Sequence, residues 1–140
     1  MYLLDTNVVS EIRKVRSGKA DRNVAVWADR VDASDLYLSV IAVQELEIGV
    51  LLAERRDPPQ GALLRSWLNA HVLPAFADRI LAVDIAVAQR SARLHVPDPR
   101  PFRDSLMAAT ALVHGLTVVT RNVADFHATG VQILNPWCAV

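Results

Sequence analysis

Short apolar runs alternate along this chain with longer segments in which apolar residues recur at helical spacing. The short runs predict strands at residues 2–4, 36–40, 79–83, 116–120 and 131–134. The longer segments predict helices at residues 8–14, 23–31, 42–55, 62–72, 85–95 and 103–114, and residues 122–129 predict a turn or a short helix. Because helices separate the strands, the pattern predicts a three-layer α/β/α domain with a mainly parallel sheet of four or five strands.

Proline, glycine and capping residues mark the predicted helix ends. The Asp-Pro-Pro sequence at residues 57–59 is expected to end the third helix, and Pro74 is expected to lie beyond the fourth. Asp84 is expected to cap the next helix, and Gly115 to stop the helix before the fourth strand. Residues 96–102 contain three prolines and therefore predict an extended connection.

Composition narrows the class of protein. Hydrophobic residues make up 52% of the chain and charged residues 21%, as in a globular protein, and no repeat or linker divides residues 1–140, so one domain is expected. No apolar run reaches the roughly 18 residues of a membrane helix, and no basic leader precedes Asp5, so a cytoplasmic protein is expected. The single Cys138 excludes an internal disulfide and a cysteine-based zinc site. Fifteen acidic residues balance fifteen basic ones, which argues mildly against nonspecific DNA coating.

Four acidic residues fall near the ends of predicted strands. Asp5 follows the first strand, Glu45 lies in the helix after the second, Asp104 opens the helix before the fourth, and Asp125 follows that strand. Ligands bind beyond the carboxyl ends of strands in such sheets. Four clustered carboxylates would repel one another, and oxygen ligands suit hard divalent cations. The spacing therefore predicts a Mg²⁺ or Mn²⁺ site that could activate water for phosphodiester hydrolysis.

Each of these acids also has an ordinary structural explanation. Asp5 could cap the first helix, Asp104 could interact with a helix dipole, and Asp125 could lie in a turn. Glu45 is harder to explain in this way, because apolar residues occupy the positions four before it and three and seven after it. An acid on an apolar face needs either a partner or a cation.

The charge of this cluster has a consequence for stability. If no base neutralises it, repulsion raises the pKa of at least one carboxyl group in the metal-free protein, and Asp104→Asn or Asp5→Asn should then be stabilising. Arg103 and Arg121 are the nearby bases in the sequence that could neutralise it instead.

Other chemistries lack their motifs. The four histidines have no paired-ligand spacing, and the chain has no Gly-rich phosphate loop and no G-x-S-x-G elbow. A phospho-acceptor or phosphatase-type α/β domain would share the acid after the first strand, but Asn7 stands where a phosphatase needs a second Asp. The last lysine is Lys19, whereas both classes need a lysine late in the chain. A non-catalytic binding module on a nuclease fold is a further alternative, against which the four acids argue.

Three segments resemble the PIN-domain ribonucleases, and more narrowly the VapC-type toxins of the FitB-like kind: MYLLDTNVVSEI, LSVIAVQELEIG and RPFRDSLMAATALVHGLTVVTRNVADF. They span nearly the whole chain in the order of the family. The resemblance implies a PIN-like fold and Mg²⁺- or Mn²⁺-dependent cleavage of RNA by the toxin of a type II toxin–antitoxin system. It also implies a homodimer and a cognate VapB-like antitoxin that wraps the helical groove and blocks the acidic site.

The resemblance also assigns residues. It makes Asp5 and Asp104 the chief metal ligands, with Asp125 and Glu45 completing the site directly or through water. Its supporting polar positions are Thr6, Asn7, Thr120 and Asn122. RNA phosphates would need basic partners, and the candidates are Arg13, Lys14, Arg16, Lys19, Arg22, Arg100, Arg103 and Arg121. The cluster at residues 13–22 is explained equally well as a solvated loop. Residues 54–78 are the least family-like, and the choice of partner is expected to depend on them.

Overall fold

Five parallel strands form the centre of the computed structural model, which describes residues 1–138. They are β1 (Tyr2–Leu4), β2 (Leu36–Ser39), β3 (Ile80–Leu81), β4 (Thr117–Val119) and β5 (Ile133–Leu134). Their order across the sheet is β3-β2-β1-β4-β5, and every neighbouring pair is parallel. All five predicted strands are present, although β2, β3, β4 and β5 are shorter than their predicted ranges.

Helices connect the strands, and the three-layer α/β/α prediction is confirmed. The helices in the described residues are α1 (Thr6–Ile12), α2 (Arg22–Arg30), α3 (Val40–Arg56), α4 (Pro58–Trp67), α5 (Leu73–Ala75), α6 (Ile85–Leu94), α7 (Phe102–His114) and α8 (Val123–His127). The helix α1 begins two residues before its predicted start, because the Asp5 carboxylate caps it by accepting the Thr6 N–H at 2.7 Å. None of the helices within residues 1–138 is long and apolar enough to span a membrane.

Two proline-containing segments differ from the prediction. Asp57 ends α3 but also caps α4, since its carboxylate accepts the Gln60 N–H at 3.3 Å. Pro58 occupies the first position of α4, where a missing N–H costs nothing, so the helix begins four residues earlier than predicted. Pro74 lies inside α5, because a π-helical turn at Leu68–Val72 continues the helical path into Leu73–Ala75.

Apolar side chains cover both faces of the sheet. Leu4 and Val119 point to one face and belong to a core formed with α1, α2, α3 and the segment after α4. Leu3 and Val118 point to the other face and pack in a second core with α7 and α8. All four side chains are buried, which explains why these strands are continuous apolar runs.

The strand order reverses at β1, which lies at the centre of the sheet. The chain runs from β1 through β2 to β3 on one side and then crosses to β4 on the other side of β1. The register pairs Leu4 with Val119, and the Asp5 N–H donates to the Val119 carbonyl at 2.9 Å. Asp5 and Thr120 are therefore neighbours in the crevice where parallel sheets bind ligands.

Candidate active site

Asp5 is held in place from three sides. Its side chain is completely buried, and its Oδ1 accepts the Thr6 N–H at the start of α1. Its Oδ2 accepts the Thr120 hydroxyl at 2.7 Å, and the Arg103 guanidinium donates to Oδ1. The capping role expected of Asp5 is confirmed, and the same carboxylate faces the other polar groups at the strand ends.

One guanidinium joins three of the four predicted acids. Arg103 Nε donates to Oε2 of Glu45 at 2.7 Å, and Nη2 donates to Oε1 at 2.8 Å. Nη1 donates to Oδ1 of Asp104 at 2.8 Å, and Nη2 also contacts Asp5. The prediction that these three acids lie together is confirmed. Arg103 sets one positive charge against their three negative charges, so it faces carboxylates here, whereas the sequence also made it a candidate for binding phosphate.

The start of α7 is fixed by a polar network beneath the proline-rich connection. The Ser105 hydroxyl donates to the Phe102 carbonyl at 3.1 Å and lies 2.9 Å from Nε2 of His95. The Arg100 N–H donates to Nδ1 of His95 at 3.3 Å, and its side-chain Nε donates to the Leu94 carbonyl at 2.7 Å. These contacts tie the connection to the end of α6 and so determine where α7 presents its first turn.

The four supporting polar positions all take part in hydrogen bonds at the strand ends. The Thr6 hydroxyl donates to Glu45, and the Thr120 hydroxyl accepts the Asn122 N–H at 3.0 Å while donating to Asp5. The Asn7 side chain accepts the Arg121 N–H at 3.4 Å. Thr6 and Thr120 therefore orient the carboxylates directly, whereas Asn7 and Asn122 fix the backbone beside β4.

Electrostatics at Glu45 differ from the expectation of mutual repulsion. Burial alone would raise the pKa of Glu45, but hydrogen bonds from Arg103 and Thr6 and the charge of Arg103 lower it below its usual value. Burial would likewise lower the pKa of Arg103, but its bonds to Glu45 and Asp104 and the charge of Asp5 raise it. The expected repulsion is thus wrong for Glu45, because a positive charge lies among the acids.

Asp125 is separate from this cluster. It lies exposed in α8, and within residues 1–138 no hydrogen bond joins it to the other three acids. No three His, Cys, Asp or Glu side chains of the described residues are grouped to hold an ion. The donor chemistry nevertheless fits a hard divalent cation, since Asp5, Glu45 and Asp104 supply only carboxylate oxygens around a position that already holds positive charge.

Comparison with known proteins agrees with this geometry. A family model described as the PIN domain matches residues 2–131 of the chain. The chain belongs to the PIN-domain family. Toxin FitB of Neisseria gonorrhoeae is 40% identical, over 98% of this chain and 99% of its own. The VapC ribonuclease Y4jK of Sinorhizobium fredii is 37% identical, over 98% of each chain. The crystal structure of FitAcB from Neisseria gonorrhoeae has a TM-score of 0.88 at 37% identity, covering 98% of this chain and 99% of that one.

Within residues 1–138, the other predicted basic residues of this PIN domain make no ion pair with Asp5, Glu45 or Asp104. The Arg121 guanidinium lies over the Trp137 ring, 5.3 Å from its centroid. Lys14 pairs with Glu11 at 3.3 Å. The basic side chains at residues 13–22 are exposed, which agrees both with a phosphate-binding role and with a solvated loop. They are Arg13, Lys14, Arg16, Lys19 and Arg22.

A cavity of about 340 Å³ lies between α1 and the helical segment at residues 67–76, and the sequence did not predict it. Trp67, His71 and Phe76 line one side, and Arg13 and Arg16 line the other. The Arg13 guanidinium lies 5.7 Å from the centroid of the Trp67 ring. The helical spacing of Trp67 and His71 within the predicted helix at residues 62–72 was the available signal. The PIN domain therefore has an apolar depression, lined partly by arginines, between α1 and the helical segment at residues 67–76.

Proposed function

We propose that this PIN domain is the toxin of a type II toxin–antitoxin pair and hydrolyses RNA phosphodiester bonds with Mg²⁺ or Mn²⁺. The observation that carries the proposal is the meeting of Asp5, Glu45 and Asp104 at the crevice beside β1. The chain has this arrangement together with 37–40% identity to proteins named VapC ribonuclease and Toxin FitB. We assign its activity to the cytoplasm.

Asp5 and Asp104 would be the main ligands of the metal ion, and Glu45 and Asp125 would complete its coordination directly or through water. When bound, a divalent cation polarises water and stabilises the oxyanions of phosphodiester hydrolysis. Asp5 suits the role of fixed ligand, because it is fully buried and hydrogen bonds orient both of its oxygens.

Side chains of the protein would accept the proton, orient the acids and bind the RNA. One of the carboxylates accepts the proton of the attacking water. Thr120 and Thr6 hold Asp5 and Glu45 in fixed orientations, so neither acid has to reorganise during the reaction. The exposed basic side chains of residues 13–22, together with Arg100 and Arg121, would contact the RNA phosphates.

The proposed partners fit two surfaces. The cavity beside Trp67, with Arg13 and Arg16 at its rim, offers an apolar seat for part of an antitoxin. An apolar surface on α3 and α4 supports a homodimer. Its side chains, each about half exposed or more, are Ile48, Leu51, Leu52 and Leu63. If the cavity receives the antitoxin, co-expression of that protein should restore growth to cells making the wild type but not to cells making a Trp67→Ala variant.

Growth and RNA cleavage test the catalytic proposal. Expression of the wild-type chain should arrest growth, and Asp104→Asn should remove the arrest while the protein stays folded. Asp29→Asn, which neutralises an exposed acid on α2, is the matched control and should leave toxicity unchanged. The purified wild type should cleave RNA in Mn²⁺ and not in EDTA. Equal toxicity from a folded Asp104→Asn variant would instead favour a binding module without chemistry.

A further inference from the structure

Arg103 occupies the centre of the acidic site. All three of its side-chain nitrogens donate to carboxylates, and together they contact Asp5, Glu45 and Asp104. These are the same acids that the proposed function assigns to a metal ion. A guanidinium therefore supplies one positive charge to three converging carboxylates, which keep a formal negative excess that would attract a cation.

We propose, resting on the function proposed above, that Arg103 and a divalent cation bind these carboxylates in mutually exclusive ways. Arg103 holds the acids together in the metal-free protein and must leave them before an ion can be coordinated. It is a positioning residue that sets the metal concentration at which the site fills.

Geometry and charge both make the two states exclusive. Arg103 donates to both oxygens of Glu45 and to one oxygen each of Asp5 and Asp104, so the atoms that would coordinate an ion already have a cationic partner. An ion placed among the same carboxylates would also be repelled by the guanidinium.

The Asp5 carboxylate and the Arg103 side chain differ in how freely they can move. Asp5 is completely buried and anchored by Thr120, so its carboxylate stays where it is. The Arg103 side chain is 30% exposed and lies in the first turn of α7, so it can rotate toward solvent without unfolding the helix. The arginine is therefore the group that yields when metal binds.

Mn²⁺ binding, followed by the electron paramagnetic resonance of the free ion, tests the proposal. Arg103→Met should bind Mn²⁺ about tenfold more tightly or better, the equivalent of removing one competing charge-assisted hydrogen bond. Arg93→Met removes the same charge at an exposed position of α6 and should match the wild type. Equal or weaker binding by Arg103→Met would overturn the competition and leave the metal site intact. Absence of binding by all three proteins would overturn the metal site itself.

A second measurement uses the wild type, in case Arg103→Met does not fold. The ¹⁵N signal of the Arg103 Nε–H group, assigned from its absence in Arg103→Lys, should be protected from solvent exchange in EDTA, because this group donates to Glu45. Saturating Mg²⁺ should shift the signal and remove the protection. A protected, unshifted signal in saturating Mg²⁺ would contradict the proposal.

Discussion

The hydroxyl of Thr120 donates a hydrogen bond of 2.7 Å to Oδ2 of Asp5, across 115 residues of sequence. Both side chains are fully buried, at the ends of the paired strands β1 and β4. The same hydroxyl accepts a hydrogen bond from the Asn122 N–H. The backbone after β4 therefore orients the Thr120 hydroxyl, which in turn orients the Asp5 carboxylate. The Asp5 carboxylate is thus oriented by a residue at the end of β4, the strand next to β1 where the strand order reverses.

Replacing Thr120 with valine should destabilise the protein by about 1–3 kcal/mol, because it leaves a buried carboxylate oxygen without this donor. Thr110→Val is the matched control, since Thr110 is equally buried but donates only to the Leu106 carbonyl within α7. That control should change the free energy of unfolding by less than about 1 kcal/mol. Urea unfolding followed by tryptophan fluorescence compares the two, and equal destabilisation by both variants would contradict the assignment.

Asp5→Asn in EDTA should lower the free energy of unfolding by about 1–3 kcal/mol, because an NH2 group replaces one of the two buried oxygens that accept hydrogen bonds from Arg103 and Thr120. This sign is opposite to the stabilisation expected from repelling acids. A melting temperature of the variant at or above that of the wild type at pH 7.5 would show that Arg103 does not compensate the cluster.

Low pH should remove the contribution of Glu45 to the free energy of unfolding. Its folded pKa is lowered, so the contribution is fully present above the unfolded pKa of about 4.3 and disappears as pH falls through the folded pKa. The difference in unfolding free energy between the wild type and Glu45→Gln should therefore be constant from pH 7 to about pH 5.5 and shrink below about pH 4.3. A difference that stays unchanged down to pH 3 would refute this account.

Two glycines should respond to alanine in opposite ways. A Cβ at Gly61 would lie 2.4 Å from the Glu54 Cα, so Gly61→Ala must push α4 away from α3 and should cost about 1–3 kcal/mol. A Cβ at Gly49 meets no atom within 4 Å, and Gly49→Ala should stabilise α3 by roughly 0.5–1 kcal/mol. Thermal unfolding of both variants checks the close helix contact.

The basic loop can be tested through the salt dependence of RNA binding in EDTA. Removing one side chain that neutralises a phosphate should flatten the log–log slope by about 0.7. Glutamine substitution of Arg13, Lys14, Arg16 and Lys19 together should therefore reduce the slope, whereas Arg93→Gln, on the exposed side of α6, should not. An unchanged slope in the fourfold variant would identify the loop as merely solvated.

Local signals were sufficient to predict most of the fold. Asp84 does cap α6, with its carboxylate accepting the Val87 N–H at 2.9 Å, and Gly115 ends α7 with a φ of 68°. The predictions failed where tertiary packing overrides local signals. Pro74 lies within a helical path because the π turn before it absorbs an extra residue, a conformation that no local pattern indicates.

The acids of the site were predictable from the sequence, but their contacts with Arg103 were not. Strand ends located Asp5 and Glu45 because parallel strands bring their carboxyl ends to one edge of the sheet. The sequence only allowed Arg103 to neutralise them, since the direction of a side chain in the first turn of α7 depends on how the whole helix docks. Asp125 matches the acidic position of the third family-like segment, but it lies exposed on the short helix α8, apart from the other three acids.

The central position of β1 also fixes when, during synthesis, the site can form. Asp5 leaves the ribosome before Arg103 and Thr120, which follow 98 and 115 residues later. A nascent chain that ends before β4 cannot pair β1 with that strand and leaves Asp5 without the groups that orient it. For a nuclease of the proposed kind, made beside the RNA it could attack, this order of synthesis delays a competent site until Arg103 and Thr120 have been made.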